Sequence, residues 1–332
     1  MQIISSSKTL NAILESGFIQ NTLFQGAPYS TQFNSERSVG QVVVYLELYE
    51  IDIKLINKIK AAGKKVVLFH MGDERADKNI AAYKACDLII RNYFFPEILN
   101  QSELSDKILW VPNGCKTGVG SRAPHTLQQV VSRQYLSCFL GWLSNAASFN
   151  GERALFSEAV SAWRSNKNRR ANNITQWLKH YLSLSKEYLA FTKLAPSYKA
   201  DLHLLSSTGF SSGYNVGLYS TVMEDSIFAP CPAGNSPETI RLYDALESGC
   251  IPISLDHAFL KSPNALAEFG PPPFPIITSW DKLPIFLDQM KQKIANNPAE
   301  VQKMQDDCIV WWANYKSHLA QKIAQRITSL NT

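Results

Sequence analysis

The sequence predicts an α/β protein built from two doubly wound domains. Its 332 residues exceed one ordinary domain, and a hydrophobic fraction of 45% is enough for two cores. Short apolar runs alternate with helical segments in two successive blocks along the chain, which is the pattern of parallel sheets with crossover helices. Sixteen Gly and sixteen Pro are close to average usage, so collagen-like and largely disordered chains are excluded.

The first block reads as parallel β-α-β units. Residues 41–46 and 65–70 form continuous apolar runs, and residues 52–62 between them form an amphipathic helix that ends at Gly63. Parallel strands need such a crossover. The pattern continues with a helix over 79–85 and with strands over 87–91 and 107–111.

The second block begins after a stretch without apolar periodicity, residues 114–133, which we interpret as the domain boundary. Strands are predicted over 135–140, 202–205, 226–229 and 251–254, and helices over 151–164 and 298–330. We therefore predict domains over 1–134 and 135–305. The final helix, 306–332, is predicted to return to the first domain, where Trp311 and Trp312 would be buried.

Charge and cysteine usage limit the class of protein. Thirty-three Lys and Arg against twenty-eight Asp and Glu give a net charge of +5, which suits an anionic small ligand and is too weak for a dedicated nucleic-acid binder. The six scattered cysteines form no Cys-x-x-Cys pair, so we expect buried thiols in a reducing compartment. The sequence contains no recognisable signal peptide and no apolar stretch of about 18 residues, so we expect a cytoplasmic protein or a domain whose anchor has been removed.

Residues 226–253 carry the most informative chemistry, in the order strand, Gly-containing loop, helix, Gly stop and strand. Ser236 precedes Pro237 and Glu238, which predicts a helix capped by Ser236 and an anion site at its N-terminus. Arg241, one turn in, can bind a phosphate with two hydrogen bonds, and Asp244 on the same face can accept from a sugar diol. The pattern predicts a nucleotide-diphosphate site. The alternative is a surface helix with an ordinary Arg–Asp pair.

This segment closely resembles the carboxy-terminal signature of the exostosin-like glycosyltransferases. The match extends to the Phe-x-Gly strand end at Gly141 and the Arg153 that follows it, to residues 208–219 and to residues 277–281. Residues 70–74 and 91–93 are more weakly similar to the xylosyltransferase branch of that family. The chain departs from the family at position 244, where the family usually has Glu. The signature positions are Pro232, Gly234, Ser236, Arg241, Asp244, Ala245, Leu246, Gly249, Cys250, Ile251 and Pro252.

The resemblance implies the GT-B arrangement, in which two Rossmann-like domains face each other across a cleft, acceptor side first and nucleotide-sugar side second. It also implies inverting transfer of a sugar from a nucleotide-sugar donor to a glycan or polysaccharide. The donor is expected to be UDP-linked, and xylose is a candidate for the transferred sugar. The chain has no Asp-x-Asp, so we predict no metal and no cofactor, with a helix N-terminus and Arg241 or Arg153 neutralising the diphosphate. The donor-binding residues implied are Gly141, Arg153, Thr208, Pro232, Gly234, Asn235, Ser236, Arg241 and Asp244.

An inverting transfer needs a base that takes the proton of the acceptor hydroxyl. His70, Asp73 and Glu74 directly follow a buried strand, at the carboxyl end where α/β sheets bind ligands. We favour Asp73 or Glu74 as the base, with His70 orienting it; the alternative is that an acid caps a helix beginning near Arg75. Arg91, after the next strand, is expected to contact acceptor or phosphate, or else to form a surface salt bridge.

Two interpretations remain for partners and for activity. The basic run over 164–170 is expected to be a solvated face, or else to bind an acidic glycan or an anionic membrane surface, and we allow for peripheral association with a membrane or a polysaccharide-synthesis complex. Eukaryotic relatives are generally tethered in the Golgi, so the chain is expected to be a bacterial or viral cytosolic enzyme or a Golgi-lumenal domain without its anchor. The rival function is a non-catalytic GT-B-like module that binds glycan or supports a partner transferase.

Overall fold

The computed structural model describes residues 2–34, 40–119, 124–143, 147–170, 202–206 and 216–331. The chain divides into two compact units. The first consists of Met1–Thr117, Ala258–Pro272 and Trp311–Thr332, and the second of Gly118–His257 and Pro273–Val310.

The first unit contains a six-stranded sheet with the order β2-β1-β3-β4-β5-β6, in which every described pair of neighbours is parallel. The three central strands β3 to β5 are buried along almost their whole length, as their continuous apolar sequences predict for a parallel sheet. The strands are β1 Gln2–Ile4, β2 Tyr29–Ser30, β3 Val42–Glu47, β4 Lys65–His70, β5 Leu88–Arg91 and β6 Ile108–Trp110.

The second unit contains a four-stranded sheet with the order β10-β9-β7-β8, and its described pairs are also parallel. Its strands are β7 Tyr135–Gly141, β8 His203–Ser206, β9 Ser226–Pro230 and β10 Ile251–Ile253.

Helices lie between most of the strands. Asp52 begins α2, where its carboxylate accepts from the backbone N–H groups of Lys54 and Leu55, as an N-cap residue should. Short 3₁₀ turns lie at 81–85, 124–126, 130–132, 149–151 and 280–282, and a π-helical turn at 18–23. The α-helices are α1 Ser7–Ala12, α2 Ile53–Ala61, α3 Pro96–Leu99, α4 Glu152–Arg170, α5 Val216–Glu224, α6 Ile240–Glu247, α7 Ala258–Lys261, α8 Leu283–Asn296 and α9 Pro298–Thr328.

Both sheets reverse their strand order once, between β1 and β3 and between β7 and β9. Such a reversal is the topological switch point of doubly wound folds, and ligands bind outside the carboxyl ends of the strands there. The predicted fold class, α/β with two Rossmann-like sheets, is therefore confirmed. The GT-B placement of the two units across a cleft stays a prediction.

The limits of the units differ from the predicted 1–134, 135–305 and 306–332. Residues 118–134 cluster with the second unit, because Arg133 donates to the carbonyls of Ser226 at 2.6 Å and Ser248 at 3.0 Å. Residues from Trp311 onward cluster with the first unit, where the Trp312 and Phe18 rings stack with centroids 6.1 Å apart.

All six cysteines are buried free thiols. Of the helices that the structure describes, none is both long enough and apolar enough to cross a bilayer.

Candidate functional site

The switch point of the second sheet brings together the ends of β7 and β9 and the start of α6. β7 ends at Gly141, and Arg241 lies in the first turn of α6. A Cβ at position 141 would collide with the terminal nitrogen Nη2 of Arg241, so a larger residue there would force the guanidinium to move. Gly141 and Arg241, both implied as donor-binding residues, therefore lie close together, and their donor binding stays a prediction.

Arg241 is buried with most of its hydrogen-bonding capacity unused. The side chain is 7% exposed, Nη2 donates to the Leu140 carbonyl at 2.5 Å, and the guanidinium lies 4.2 Å from the centroid of the Phe139 ring. Nε and Nη1 have no hydrogen-bond partner among the described residues. Buried polar groups are almost always paired, so two unused donors on one cation indicate a place for an anion.

Arg153 lies beside Arg241 and is bonded quite differently. Nε donates to the carbonyls of Pro232 at 3.2 Å and Ala233 at 2.9 Å, and Nη1 donates to the Trp142 carbonyl at 2.7 Å. Its guanidinium lies 5.4 Å from the centroid of the Phe139 ring that also supports Arg241. Burial, followed by the positive charge of Arg241, lowers the pKa of Arg153 to about 9, so Arg153 stays charged at neutral pH.

Glu152, the residue before Arg153, holds the same loop by its carboxylate. Oε2 accepts from the Ala233 backbone N–H at 3.0 Å and from the indole of Trp280 at 3.2 Å, and Oε1 lies 3.1 Å from Nε2 of His257. Glu152 and His257 are site residues that were not predicted from the sequence. The only available signal was that Glu152 directly precedes Arg153.

Asp244 lies on α6 below Arg241 and is 1% exposed. The Tyr219 hydroxyl donates to its Oδ2 at 2.9 Å. Burial, and next the charge of Asp244, raises the pKa of Tyr219 well above its usual value, which keeps the phenol protonated as the donor. The role predicted for Asp244, accepting from a sugar diol, stays a prediction.

The helix start differs from the prediction. α6 begins at Ile240 with Thr239 as its N-cap, and not at Ser236. The Ser236 hydroxyl donates to the Glu238 carbonyl at 3.1 Å, and the Glu238 carboxylate accepts from the Tyr243 hydroxyl at 2.9 Å. These contacts keep residues 236–239 in a loop, so the predicted capping by Ser236 is wrong.

The loop residues of the predicted donor site have different environments. Pro232 and Ser236 are buried, Gly234 is half-buried and Asn235 is exposed. The Gly234 carbonyl accepts from the Phe149 backbone N–H at 2.7 Å. Thr208, the remaining predicted donor residue, lies outside the described residues, as do the side chains of the basic run 164–170.

In the first unit, the carboxyl edge of the sheet carries a row of polar residues. Glu47, His70 and Arg91 are in register at the ends of β3, β4 and β5. His70 is buried, and its Nδ1 lies 2.7 Å from the Tyr83 hydroxyl. Burial, and then the charge of Arg91, lowers the pKa of His70 to about 4, so the ring is neutral at physiological pH.

Asp73 and Arg91 form a buried ion pair. Nη2 of Arg91 donates to Oδ2 of Asp73, while Oδ1 of Asp73 accepts from the Lys78 backbone N–H at 3.1 Å. Arg91 also donates to the Tyr83 hydroxyl at 3.4 Å. Neither alternative from the sequence describes these residues: Arg91 makes no surface salt bridge, and no described helix begins near Arg75.

Glu74 is the predicted acid that stays half-buried. Its Oε1 accepts from the Tyr93 hydroxyl at 3.3 Å. Tyr93 has a φ of +56°, a left-handed conformation that is uncommon for a bulky residue and often marks a functional position.

Within the described residues, no three His, Cys, Asp or Glu side chains are placed to hold a metal ion.

Comparison with known proteins matches the last third of the chain to one family. Residues 211–330 match the family described as RXYLT1 C-terminal domain. Ribitol-5-phosphate xylosyltransferase 1 from Homo sapiens is 27% identical over 121 residues, which cover 33% of this chain and 27% of that relative. The chain therefore spans about a quarter of the length of that protein.

The solved structures that match this chain are more distant in sequence. A glycosyltransferase from Rickettsia africae ESF-5 is 11% identical with a TM-score of 0.49, over 98% of this chain and 97% of that one. Anabaena HepE in complex with UDP-glucose is 10% identical with a TM-score of 0.45, over 99% of this chain and 100% of that one. The resemblance read from residues 226–253 is confirmed: residues 211–330 match the C-terminal domain of an exostosin-like, xylosyltransferase-related family of glycosyltransferases.

Proposed function

We propose that the chain is a glycosyltransferase that binds a nucleotide-sugar donor at the switch point of its second sheet and transfers the sugar to a glycan acceptor. The observation that carries the proposal is Arg241, which is buried at this switch point with two N–H groups that meet no partner among the described residues. A diphosphate offers acceptor oxygens and negative charge to both groups. The match of residues 211–330 to a glycosyltransferase family supports the same assignment.

The proposed reaction is an inverting, metal-independent transfer. The acceptor hydroxyl attacks the anomeric carbon and forms the new glycosidic bond, while the bond from that carbon to the phosphate oxygen breaks. A carboxylate takes the proton of the hydroxyl, and the electron pair of the broken bond leaves on the nucleoside diphosphate. Arg241 would neutralise the charge that develops on the diphosphate.

Glu74 fits the role of base better than its two neighbours. Asp73 is 1% exposed, and its two oxygens accept from Arg91 and from the backbone of Lys78. His70 is equally buried and its Nδ1 is engaged with Tyr83. Glu74 is half-buried, so its carboxylate is more accessible to solvent than the other two side chains.

The donor is proposed to be UDP-linked, with xylose as the first sugar to test, because the human relative is named a xylosyltransferase. The name of the relative also makes ribitol 5-phosphate the first acceptor to test. Melting temperature is measured with UDP, GDP and CMP, since a ligand that binds only the folded protein raises it. Hydrolysis and transfer are then measured with the sugars of the selected nucleotide, UDP-xylose first.

Arg241→Gln should abolish the rise in melting temperature and the transfer. Arg326→Gln is the matched control, because Arg326 also donates to a backbone carbonyl, that of Asp106, in the first unit. If no nucleotide changes the melting temperature of the wild-type protein and no donor is consumed, the enzyme proposal is wrong. Binding of glycan without donor turnover would favour the non-catalytic module instead.

A further inference from the structure

The loop 232–234 is held from both sides by two consecutive residues of α4. Glu152 accepts from the backbone N–H of Ala233 at 3.0 Å, and Arg153 donates to the carbonyl of the same residue at 2.9 Å. Both side chains are buried, so these charge-assisted bonds are shielded from water. The chain direction at Ala233 is therefore fixed by one carboxylate and one guanidinium together.

The same two residues connect the loop to its surroundings. Arg153 reaches the Trp142 carbonyl in the segment after β7, so one guanidinium joins the segments that leave the two strands at the switch point. The Glu152 carboxylate is itself oriented by Trp280 and His257, both of them buried. The loop 232–234, the pair Glu152 and Arg153 that binds it, and the residues that orient Glu152 form one connected polar network.

Among the described residues, Arg241 makes no hydrogen bond to this network. Its one hydrogen bond goes to Leu140, and Nε and Nη1 have no partner among the described residues. Two cations stacked on the single ring of Phe139 repel each other, and an anion bound at Arg241 would offset that repulsion. Arg153 has already committed Nε and Nη1 to carbonyl oxygens, whereas Arg241 has donors to offer.

We infer that the two arginines have different tasks: Arg241 binds the donor's diphosphate, while Arg153 and Glu152 are positioning residues that set the loop 232–234 against the donor. The inference rests on the proposed function, because it assigns roles within the proposed donor site. It resolves the choice that the sequence leaves open between Arg241 and Arg153 as the cation that neutralises the diphosphate.

The test measures dissociation constants for UDP and for uridine, which lacks both phosphates. Arg241→Gln should weaken UDP binding by about 10–100-fold and uridine binding little, since a hydrogen-bonded charge contributes about 1.5–3 kcal/mol. The preference for UDP over uridine should therefore collapse. Arg153→Gln and Glu152→Gln should weaken both ligands by the same factor and leave the preference intact, because a displaced loop affects the whole ligand.

Three further variants keep the test decisive if Arg153→Gln does not fold. Arg153→Lys keeps the charge but loses the hydrogen bonds that join the loop 232–234 to Trp142. It should therefore weaken UDP and uridine binding equally, as Glu152→Gln should. Millimolar guanidinium should restore UDP binding to Arg241→Ala, because a diffusible cation can replace a ligand. Guanidinium should not restore it to Arg153→Ala.

The inference is overturned if Arg153→Gln or Arg153→Lys reduces the preference for UDP as Arg241→Gln does, or if Arg241→Gln leaves that preference unchanged. Failure of the proposed function looks different: the wild-type protein would then bind none of UDP, GDP and CMP. Arg326→Gln serves again as the control and should match the wild type with both ligands.

Discussion

Nη2 of Arg91 donates to Oδ2 of Asp73 over 3.1 Å, and the two side chains are 0% and 1% exposed. The pair joins the end of β5 to the loop that follows β4. Both oxygens of Asp73 are engaged, one by Arg91 and the other by the backbone of Lys78. The relationship identifies Asp73 as a residue that shapes the loop carrying Glu74.

Breaking this pair from one side should be costly. Arg91→Met leaves a buried carboxylate without its cation, and removal of one partner of a buried pair costs about 3–5 kcal/mol. Arg91→Met with Asp73→Asn should cost less than the sum of the two single changes, because neither charge is then stranded. The free energy of unfolding of the three variants is measured by urea denaturation, with tryptophan fluorescence as the signal.

The matched control is Lys84→Met, which removes the cation of an exposed pair with Glu103, whose side chains are 72% and 65% exposed. Its unfolding midpoint should stay at the wild-type value, because water screens such pairs. If the loss of unfolding free energy in the double variant equals the sum of the two single losses, the side chains at 73 and 91 do not stabilise each other.

His70 should make the stability of the first unit depend on pH. Its pKa is about 4 in the folded protein and near 6.5 when unfolded, so between these values the unfolded chain binds more protons. Stability should therefore fall as pH falls from about 6.5 to about 4, by on the order of 3 kcal/mol from this group. His70→Asn, which retains a polar group near Tyr83, should flatten the dependence in that window.

The exposed His125 supplies the control, since His125→Asn should leave the pH dependence as it is. Thermal melts of the wild type and of both variants at several pH values between 4 and 7 test this. An equal slope for the wild type and His70→Asn would show that His70 is solvated and protonated like an exposed histidine.

The strands that the sequence predicts well are those whose burial is continuous. The runs at 42–47 and 65–70 are apolar because both faces of a central parallel strand are covered. β1, only three residues long, has too few positions for any period to show, yet it pairs with both β2 and β3 and creates the switch point. Its position comes from pairing with distant segments, which local sequence does not reveal.

In the candidate site, too, local sequence patterns predict some residues, while contacts with distant segments determine others. Arg241 was predicted because an arginine in the first turn of a helix can bind a phosphate, whereas Gly141 was implied by the family resemblance. The start of α6 was predicted three residues too early, because the Ser-Pro-Glu pattern favours a cap at Ser236 while the contact from Tyr243 to Glu238 keeps those residues in a loop. Glu152 was missed because its partners, Ala233, Trp280 and His257, are at least 81 residues away in the chain.

Replacement of Glu74 should reduce sugar transfer and leave donor binding unchanged. Glu74→Gln keeps the size and the acceptor oxygen for Tyr93 but cannot take a proton, so transfer should fall by about 10²–10⁴-fold, the contribution typical of a general base. The dissociation constant for UDP should not change. Transfer under saturating donor, alongside UDP titration, separates the two effects.

Tyr93 should act through Glu74. Tyr93→Phe removes the hydroxyl that donates to Glu74 Oε1 while keeping the ring, so transfer should fall by a smaller factor than in Glu74→Gln. In a Glu74→Gln background the same change should add little, because the residue it positions no longer acts as a base. Glu97→Gln, an exposed change in α3, is the matched control and should transfer at the wild-type rate. Full activity in Glu74→Gln would assign the base to another residue, and an additive effect of Tyr93→Phe would mean that Tyr93 works independently of Glu74.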